Sequence, residues 1–280
     1  MKRAKIRRKK DVRGKVFLVT GGAMGMGRLV AEHFARDGAR VVIWDINARE
    51  LEKTARQMSE REWEVHPYVV DVTDRAKVYE TAKRVKLEVG EVDVLMNNAG
   101  VVKGGPFMQV EDEAHFKTMD VNFNAYMWMT KAFMLGMMDR NEGHIINIAS
   151  AAGLSHVPLS ASYAASKAAV VNFTDSLRHE MRRLGYKGIK FTIVCPSYVA
   201  TGMFAGVKAP LCTPWLEPQE MADMIYDGYH GDKKMVAAPF FVKLVPALRG
   251  ISPRWLYEAS STLLGVSRSM EEWRGHQDVP

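Results

Sequence analysis

The stretch KVFLVTGGAMGMG, residues 15–27, joins an apolar run directly to a turn rich in glycine. The run KVFLVT (15–20) predicts a buried strand, and the glycines of TGGAMGMG (20–27) open the helix that follows. There, backbone N–H groups and a helix N-terminus can approach a pyrophosphate. The spacing is Thr-Gly-x-x-x-Gly-x-Gly rather than Gly-x-Gly-x-x-Gly. The turn therefore predicts a dinucleotide cradle, although a βα turn can also need glycine for its own geometry.

Apolar runs and helical patterns alternate along the rest of the chain. The runs are rich in β-branched residues and are bounded by Gly, Asp or Asn, which is typical of buried parallel strands. Seven strands are predicted, at residues 15–20, 40–45, 64–71, 92–98, 144–150, 189–196 and 234–239. Helices are predicted near residues 25–37, 48–60, 74–89, 112–139, 160–184 and 218–229. The alternation predicts an α/β fold, a single Rossmann-type doubly wound parallel sheet of about seven strands with helices on both faces.

Composition narrows the class of protein. The chain has 280 residues, of which 47% are hydrophobic and 25% charged, as in an ordinary globular protein. Its two cysteines, Cys195 and Cys212, match no metal spacing and no disulfide framework, so we expect a cytoplasmic protein without a metal site. The longest apolar run, AAPFFVKLVPAL (237–248), contains Lys243 and two prolines. It falls short of the roughly 20 residues that span a bilayer, so neither a membrane span nor a secretory signal is predicted.

The positive charge is concentrated at the amino end. Residues 1–15 carry nine Lys or Arg and one acid, so they contribute +8 to the net charge of +7 and leave −1 for residues 16–280. We interpret residues 1–13 as a basic extension and residues 14–280 as one domain. Such an arm can bind nucleic acid or an anionic membrane surface, but the nearly neutral body offers no supporting basic row. We therefore favour a solvated arm, or one that clasps a neighbouring subunit, and expect no nucleic-acid partner.

Polar residues follow the strands at their carboxyl ends, where ligands bind in such folds. Asp45 ends the second strand, 18 residues after Gly27. A carboxylate there accepts from ribose hydroxyls and repels a 2′-phosphate, although an aspartate can also be a simple cap. Met24 supplies no cation for that phosphate, so NAD(H) is favoured over NADP(H). Asp71 and the segment 98–100 extend the row along the predicted nucleotide crevice.

Tyr163 and Lys167 lie four residues apart in ASYAASKAAV (161–170) and therefore share one face of a helix. A phenol with a pKa of about 10 is a poor acid–base catalyst, but a neighbouring ammonium favours the phenolate and lowers that pKa. Ser150 ends the fifth strand, where its hydroxyl can stabilise a developing alkoxide. Asn122 lies in the long predicted helix, where a buried amide needs a polar partner. Ser150 alone could be a turn residue and Asn122 a core amide, but the four together predict proton transfer to a carbonyl oxygen as hydride reaches its carbon.

Six motifs, in order over about residues 12–239, resemble the short-chain dehydrogenase/reductase superfamily. They are Thr-Gly-x-x-x-Gly-x-Gly at 20–27, Asn-Asn-Ala-Gly at 97–100, Asn122, Ser150, Tyr163-x-x-x-Lys167, and Pro196 followed by Thr201. The resemblance implies that Tyr163 is the general acid/base and that Lys167 also binds the nicotinamide ribose. It implies that Ser150 orients the substrate and that Asn122 holds a proton-relay water.

The resemblance also implies where NAD binds. Val199 and Thr201 are expected to hold the nicotinamide carboxamide. One departure is Pro196-Ser197, where the family usually has Pro-Gly, and this change stiffens the turn. The full set of expected cofactor-binding residues is Gly21, Met24, Gly25, Met26, Gly27, Asp45, Asp71, Val72, Asn98, Ala99, Gly100, Tyr163, Lys167, Pro196, Val199 and Thr201.

The loop of about residues 201–217 is expected to cover the substrate, because its apolar side chains can line a pocket. The expected substrate-binding residues are Ser150, Tyr163, Met203, Phe204, Val207, Leu211 and Trp215. The loop residues could instead pack on the protein's own surface. No basic cluster there points to a carboxylate or phosphate, so an apolar small molecule is favoured.

The segments GIKFTIVCPSYVATGMF, TPWLEPQEMADMI and KMVAAPFFVKLVPALRGISPRWLYEA resemble the hydroxysteroid and retinoid branch of the superfamily. The resemblance implies an apolar flap or interface at residues 240–266. It also implies an NAD(H)-dependent ketone–alcohol interconversion, expected here as 20-beta-hydroxysteroid dehydrogenase activity on the side-chain ketone of cortisol-like steroids. Retinol-like, aryl or other hydrophobic alcohols are the alternative substrates. The distant alternative is a dinucleotide-dependent regulatory protein that uses its basic arm on nucleic acid. It is disfavoured because such a protein does not need a complete set of catalytic residues.

Helix 112–139 is predicted to be apolar nearly all round. One side should face the sheet, and the other needs cover, most simply from a second subunit. The family resemblance implies a homodimer or homotetramer built from this helix and helix 160–184, with the basic arm as a further candidate contact.

Overall fold

A computed structural model describes residues 9–211 and 213–275. Seven strands form one sheet: β1 (Val16–Thr20), β2 (Arg40–Asp45), β3 (Val65–Val69), β4 (Val94–Asn97), β5 (Gly143–Ile148), β6 (Ile189–Pro196) and β7 (Met235–Ala238). Their order is β3-β2-β1-β4-β5-β6-β7, and every neighbouring pair is parallel. The predicted parallel sheet of about seven strands is confirmed.

Among the described residues, the first seven helices connect the strands and cover both faces of the sheet, and the last two follow β7. They are α1 (Gly25–Arg36), α2 (Ala48–Ser59), α3 (Arg75–Glu88), α4 (Asp112–Met119), α5 (Ala125–Arg140), α6 (Ala161–Arg183), α7 (Pro218–His230), α8 (Val245–Ile251) and α9 (Arg254–Leu263). On one face the rings of Phe17 (β1) and Phe34 (α1) stack with centroids 3.9 Å apart. On the other face Trp44 of β2 packs edge-on against Phe133 of α5, at 5.9 Å. These two apolar layers hold the helices on a rigid sheet.

The strand order changes direction between β1 and β4, which are neighbours in the sheet. From β1 the chain moves outward to β2 and β3, and from β4 it moves the other way to β7. The carboxyl ends of β1 and β4 therefore flank the crevice in which such sheets bind ligands.

The helix predicted over residues 112–139 is interrupted. A π-helical turn, Asp120–Asn124, separates α4 from α5. Turns of this kind insert an extra residue into a helix and are frequent at functional sites. Asn122, which the sequence placed in a regular helix, lies in this turn with no exposed surface. An interruption of one turn leaves the apolar periodicity almost unchanged, so the sequence pattern does not reveal it.

Residues 9–13 lie against the amino-terminal edge of the sheet. The ammonium of Lys10 forms an ion pair with Asp232 at 2.5 Å and lies 3.3 Å from Nδ1 of His144, at the start of β5. Val12 is buried in the core. The described part of the predicted extension is thus packed on the body. The remainder, with its expected contact to a neighbouring subunit, lies outside the described residues.

After β7 the chain forms a 3₁₀ turn at Phe240–Leu244 and then α8 and α9. The residues after α9 return across the loop that follows β6, where Ala205 and Gly275 form an antiparallel bridge. Within residues 9–211 and 213–275, no helix has the length and hydropathy to cross a membrane. In the same ranges, no group of three or more His, Cys, Asp or Glu is placed to hold a metal ion.

Candidate active site

The glycine-rich turn lies directly on the end of β4. Gly21 has φ +62°, and a Cβ there would lie 2.9 Å from Cα of Ala99. A Cβ on Gly27 would lie 2.5 Å from the carbonyl oxygen of Gly21 and 2.6 Å from Nδ2 of Asn98. Only glycine fits at these two positions, so this close packing fixes the turn against the sheet.

The N-terminus of α1 is open to an anion. Its N-cap, Met24, makes no side-chain cap hydrogen bond, and its first turn contains no acidic residue. The first N–H groups of a helix have no intrahelical acceptor and carry partial positive charge. Gly25, Met26 and Gly27 of the predicted set begin this helix. This end of α1 therefore fits the pyrophosphate of a dinucleotide.

Thr20 and Asn98 fasten β1 to β4 at the crevice. The Thr20 hydroxyl accepts from the N–H groups of Asn98 at 3.0 Å and Ala99 at 3.1 Å. In return, the Asn98 amide donates to the carbonyls of Thr20 and Gly21, both at 2.9 Å. The predicted residues 98–100 thus shape the cradle. Thr20 was missing from the predicted set, although it begins the glycine motif.

Asp45 lies at the same edge, at the end of β2. One carboxylate oxygen accepts from the N–H of Ala23 at 3.0 Å and the other from the N–H of Asn47 at 2.9 Å. Each oxygen keeps a further lone pair for a ribose hydroxyl. Met24 follows Ala23 in the chain, is 44% exposed, and brings no positive charge to this site. The geometry fits a ribose that carries no 2′-phosphate.

Asp71 and Val72 follow β3 in the expected row. The Asp71 carboxylate accepts from the backbone N–H and the hydroxyl of Thr73, at 2.9 and 2.7 Å. Val72 is buried. Both residues are held in a fixed turn at the carboxyl edge of the sheet.

Tyr163, Lys167 and Ser150 meet where β5 ends. Tyr163 and Lys167 lie one turn apart on α6, and the Lys167 ammonium is 5.9 Å from the centroid of the Tyr163 ring. The Ser150 hydroxyl bonds the Tyr163 phenol. Ser150 Oγ also accepts from the N–H of Ala152 at 3.1 Å, which leaves its own proton for another oxygen. Three of the four predicted catalytic residues are therefore brought together.

Burial acts against both ionised forms at this site. It raises the pKa of Tyr163 to about 12, against the opposing hydrogen bond from Ser150. Burial also lowers the pKa of Lys167 to about 7. The Lys167 ammonium donates to the carbonyl of Ile148 at 2.8 Å. Burial thus outweighs the expected lowering of the phenol pKa.

Asn122 acts through its side chain on the neighbouring loop. Its amide bonds both backbone groups of Val101 and donates to Ser166 Oγ at 3.0 Å. The Asn122 Oδ1 keeps one lone pair, and the water-holding role that the resemblance implied stays a prediction.

The segment after β6 closes the cofactor crevice from the other side. The N–H of Thr201 donates to the carbonyl of Val199 at 2.8 Å. A Cβ on Gly25 would lie 3.5 Å from the Thr201 methyl group, so the two segments are in contact. Pro196 ends β6, and the N–H of Ser197 bonds Ala238 at 2.8 Å, which fixes the Pro-Ser turn to β7.

A cavity of about 330 Å³ opens on Ser150 and Tyr163. Its walls are mostly apolar side chains and come from the loops after β5 and β6 and from α8 and α9. Phe204 stands edge-on to the Tyr163 ring at 5.8 Å and lines the cavity. Side chains between Phe241 and Val266, in the segment expected to form an apolar flap or interface, contribute to these walls.

Four of the predicted substrate residues lie elsewhere. Met203, Val207, Leu211 and Trp215 are absent from the cavity lining among the described residues. Val207 is buried, Leu211 is 67% exposed, and Trp215 packs on Tyr198 at 5.8 Å. The apolar composition of the loop does not indicate which of its side chains point into the cavity.

The carboxy-terminal residues hold this loop in place. The indole N–H of Trp273 donates to the carbonyl of Met203 at 3.2 Å, and the N–H of Arg274 donates to Ala205 at 3.0 Å. The N–H of Lys208 bonds the carbonyl of Ser269 at 3.2 Å. We call residues 264–275 the carboxy-terminal strap.

Comparison with known proteins agrees with this geometry. A family model described as short chain dehydrogenase matches residues 15–211. Estradiol 17-beta-dehydrogenase 11 of Mus musculus is 39% identical over 247 residues, which cover 88% of this chain and 83% of the relative. Epidermal retinol dehydrogenase 2 of Mus musculus is 38% identical over 272 residues, covering 96% and 88%. A short-chain dehydrogenase/reductase from Burkholderia phymatum, crystallised in complex with NAD, superposes with a TM-score of 0.79 at 25% identity and covers 97% and 99%.

The chain belongs to the short-chain dehydrogenase family. It is an oxidoreductase that acts on CH–OH groups with a nicotinamide dinucleotide, as the six motifs predicted.

Sequence reasoning missed several residues of the site. Tyr126 donates its hydroxyl to the carbonyls of Ala99 and Ile148, and its ring lies 5.4 Å from the Lys167 ammonium. A Cβ on Gly153 would lie 2.6 Å from the carbonyl oxygen of Lys167, so this glycine lets the turn after Ser150 rest on α6. The only sequence signals were a tyrosine in an apolar helix and a glycine shortly after the serine.

Proposed function

We propose that this protein interconverts a ketone and a secondary alcohol on a steroid, with NAD(H) as the cofactor. The observation that carries the proposal is the largely apolar cavity of about 330 Å³ that opens on Ser150 and Tyr163. Its volume lies at the lower end of the range of small-molecule pockets, about 300–1,000 Å³, and suits a rigid, compact apolar skeleton.

The cofactor is NAD(H). Asp45 places a carboxylate where the adenosine ribose lies in such folds, and the neighbouring Met24 offers no cation to a 2′-phosphate. The neighbour from Burkholderia phymatum was crystallised with NAD, which supports the same choice.

A bound nicotinamide supplies or accepts the hydride at the carbonyl carbon. The protein's own residues handle the oxygen. With a pKa raised to about 12, the buried phenol of Tyr163 carries its proton at neutral pH and donates it to the ketone oxygen during reduction. The Ser150 hydroxyl donates to the same oxygen as negative charge develops. In the reverse direction the phenolate form of Tyr163, the form left by that donation, takes up the proton of the alcohol.

The sequence and the relatives favour different positions for the reacting ketone. The sequence favours the side-chain ketone, a 20-beta activity, whereas several similar relatives are named for the 17-beta position. A second candidate is a retinol-like alcohol, which the resemblance to epidermal retinol dehydrogenase 2 supports.

A substrate panel tests the proposal. NADH oxidation is followed with steroids that carry ketones at carbons 3, 17 or 20, and with retinal and aryl ketones. We expect a steroid to be reduced most efficiently, with NADPH much less effective than NADH. Turnover of retinal or aryl ketones without turnover of any steroid would refute the steroid proposal.

Tyr163→Phe tests the assigned chemistry. We expect turnover to fall by at least a factor of about 10³, because a proton donor is lost, while NADH binding is retained. Tyr79→Phe, on α3, removes a hydroxyl that makes no hydrogen bond among the described residues and serves as the control. Near-full activity in Tyr163→Phe would show that the phenol is not the acid.

The subunits are proposed to pair through α4, α5 and α6. Phe116 is 70% and Leu135 68% exposed on this part of the surface, as expected of an apolar helix that lacks cover. A homodimer or homotetramer is tested by light scattering of the wild type against Leu135→Glu.

The free, buried Cys195 supports the proposal of a reducing, cytoplasmic compartment.

A further inference from the structure

Two hydroxyl groups face each other in the wall of the cavity. Ser155 lies in the loop after β5, and Tyr257 lies on α9. Their oxygens are 2.5 Å apart, and both residues line the cavity. Neither hydroxyl has another hydrogen-bond partner within the described part of the chain. The pair is therefore a polar position in a mostly apolar wall, in addition to Ser150 and Tyr163.

The chemistry of the pair suits a ligand oxygen of either kind. When one hydroxyl donates to the other, the second keeps its own proton without an acceptor. Whichever way the pair is oriented, one O–H donor and several lone pairs remain. The pair can therefore donate to a ketone or accept from a hydroxyl. A donor left without a partner in an apolar wall is unfavourable, so a ligand oxygen there is stabilising.

Three other hydroxyls of the cavity wall are already bonded within the protein. Ser160 donates to the carbonyl of Val157, and Ser260 donates to the carbonyl of Tyr257. Ser261, one turn after Tyr257 on α9, bonds Nε2 of His156 at 3.0 Å. The His156–Ser261 bond joins the same two segments as the Ser155–Tyr257 pair. Because the His156–Ser261 bond also holds α9 to this loop, the hydroxyls of Ser155 and Tyr257 can reorient toward a ligand while α9 stays attached.

We propose that Ser155 and Tyr257 bind a second oxygen of the substrate, a ketone or hydroxyl remote from the reacting carbon. The proposal rests on the proposed function and deepens it. It names the substrate class as a rigid apolar skeleton with two oxygen functions, of which one meets Tyr163 and the other meets this pair. A steroid oxygenated at both ends has this form, whereas retinol carries one oxygen only.

Tyr257→Phe and Ser155→Ala test the pair. Tyr257→Phe keeps the ring that stands edge-on to His156 at 5.6 Å and removes only the hydroxyl. The substrates are a 3-hydroxy steroid with a ketone at the reacting position and its 3-deoxy analogue. For the 3-hydroxy steroid we expect KM to rise about tenfold in each variant with kcat nearly unchanged, because an interaction remote from the reacting carbon is made equally in ground and transition states. For the 3-deoxy analogue we expect KM to stay within about twofold.

Ser261→Ala is the matched control. It breaks the other α9 attachment, and we expect it to change KM for both steroids by the same factor. Equal losses for both steroids in Tyr257→Phe and Ser155→Ala would show that the pair only fastens α9, and would overturn the proposal. A wild type that turns over both steroids with equal KM would also overturn it, while leaving the steroid function intact. A wild type that turns over neither steroid but reduces other ketones would refute the proposed function, and the proposal with it.

Discussion

The side-chain amide of Asn122 holds both backbone groups of Val101. Its Oδ1 accepts from the Val101 N–H at 2.8 Å, and its Nδ2 donates to the Val101 carbonyl at 2.9 Å. The same Nδ2 donates to Ser166 Oγ, which in turn donates to the carbonyl of Tyr163 at 2.7 Å. One buried amide thus links the loop after β4 to the turn of α6 that carries the acid.

Asn122→Leu should therefore damage both stability and activity. The change leaves two backbone groups and a hydroxyl without their partner, so we expect the free energy of unfolding to fall by about 3 kcal/mol. We expect kcat to fall at least tenfold, because Tyr163 loses part of its support. Urea unfolding and steady-state kinetics measure the two effects. Asn124→Leu, in the same π-helical turn, removes one bond to Asp120 and should cost less than about 1 kcal/mol.

Lys167 should make the stability of the cofactor-free protein rise with pH. Burial lowers its pKa from 10.5 to about 7, so between these values the unfolded chain binds a proton that the folded chain does not. Stability then increases from about pH 7 to about pH 10, by roughly 2–4 kcal/mol. Lys167→Met removes this dependence and should be most stabilising, relative to wild type, at or below pH 7. Thermal unfolding of wild type, Lys167→Met and the exposed control Lys131→Met measures the difference. Parallel pH profiles for wild type and Lys167→Met would contradict the assignment.

Asp45→Ala should change the choice of cofactor. The carboxylate that would accept from the ribose and repel a 2′-phosphate is lost. We expect KM for NADH to rise roughly 10- to 100-fold, with a smaller change or a gain for NADPH. Asp74→Ala removes the N-cap of α3, lowers stability by about 1 kcal/mol and should leave the ratio of the two KM values unchanged. A ratio unchanged in Asp45→Ala would remove Asp45 from the cofactor site.

Gly206→Ala should loosen the carboxy-terminal strap. Gly206 has φ +85°, and a Cβ there would collide with the carbonyl oxygen of Glu272. We expect faster hydrogen exchange at the amides of Lys208 and Arg274, which bond between the loop and the strap. We also expect KM for the substrate to rise more than KM for NADH. Gly250→Ala, on α8, meets no atom within 4 Å and should change neither. Unchanged exchange in Gly206→Ala would show that the strap does not depend on this contact.

The sheet could be predicted from sequence because its strands are buried on both faces. In β1, β2 and β6 the apolar run and the strand coincide to within a residue or two, since a parallel strand must be apolar nearly throughout. The π-helical turn at Asp120–Asn124 could not be predicted in this way. Asn122 in this turn bonds Val101, which is 21 residues away and meets it only in the folded chain.

The catalytic residues were predictable for a different reason. Tyr163 and Lys167 are fixed by their spacing on one helix, and Ser150 by its place after a strand. The substrate wall was less accessible to sequence reasoning. Phe204 was expected and lines the cavity, but Leu211 and Trp215 are equally apolar and do not. Tyr257 and Ser155 are ordinary polar residues in sequence, and only the packing of α9 on the loop after β5 gives them a role.

The contact of Lys10 with Asp232 and His144 has a practical consequence. It brings the chain into the fold at the amino-terminal edge of the sheet, whereas Ser150 follows β5 at the opposite edge. A strand of this length separates the two by about 20 Å. An enzyme attached to a resin or an electrode through its first residues would therefore turn its catalytic edge away from the support. Immobilisation at that end should leave the cavity open to bulky, poorly soluble compounds.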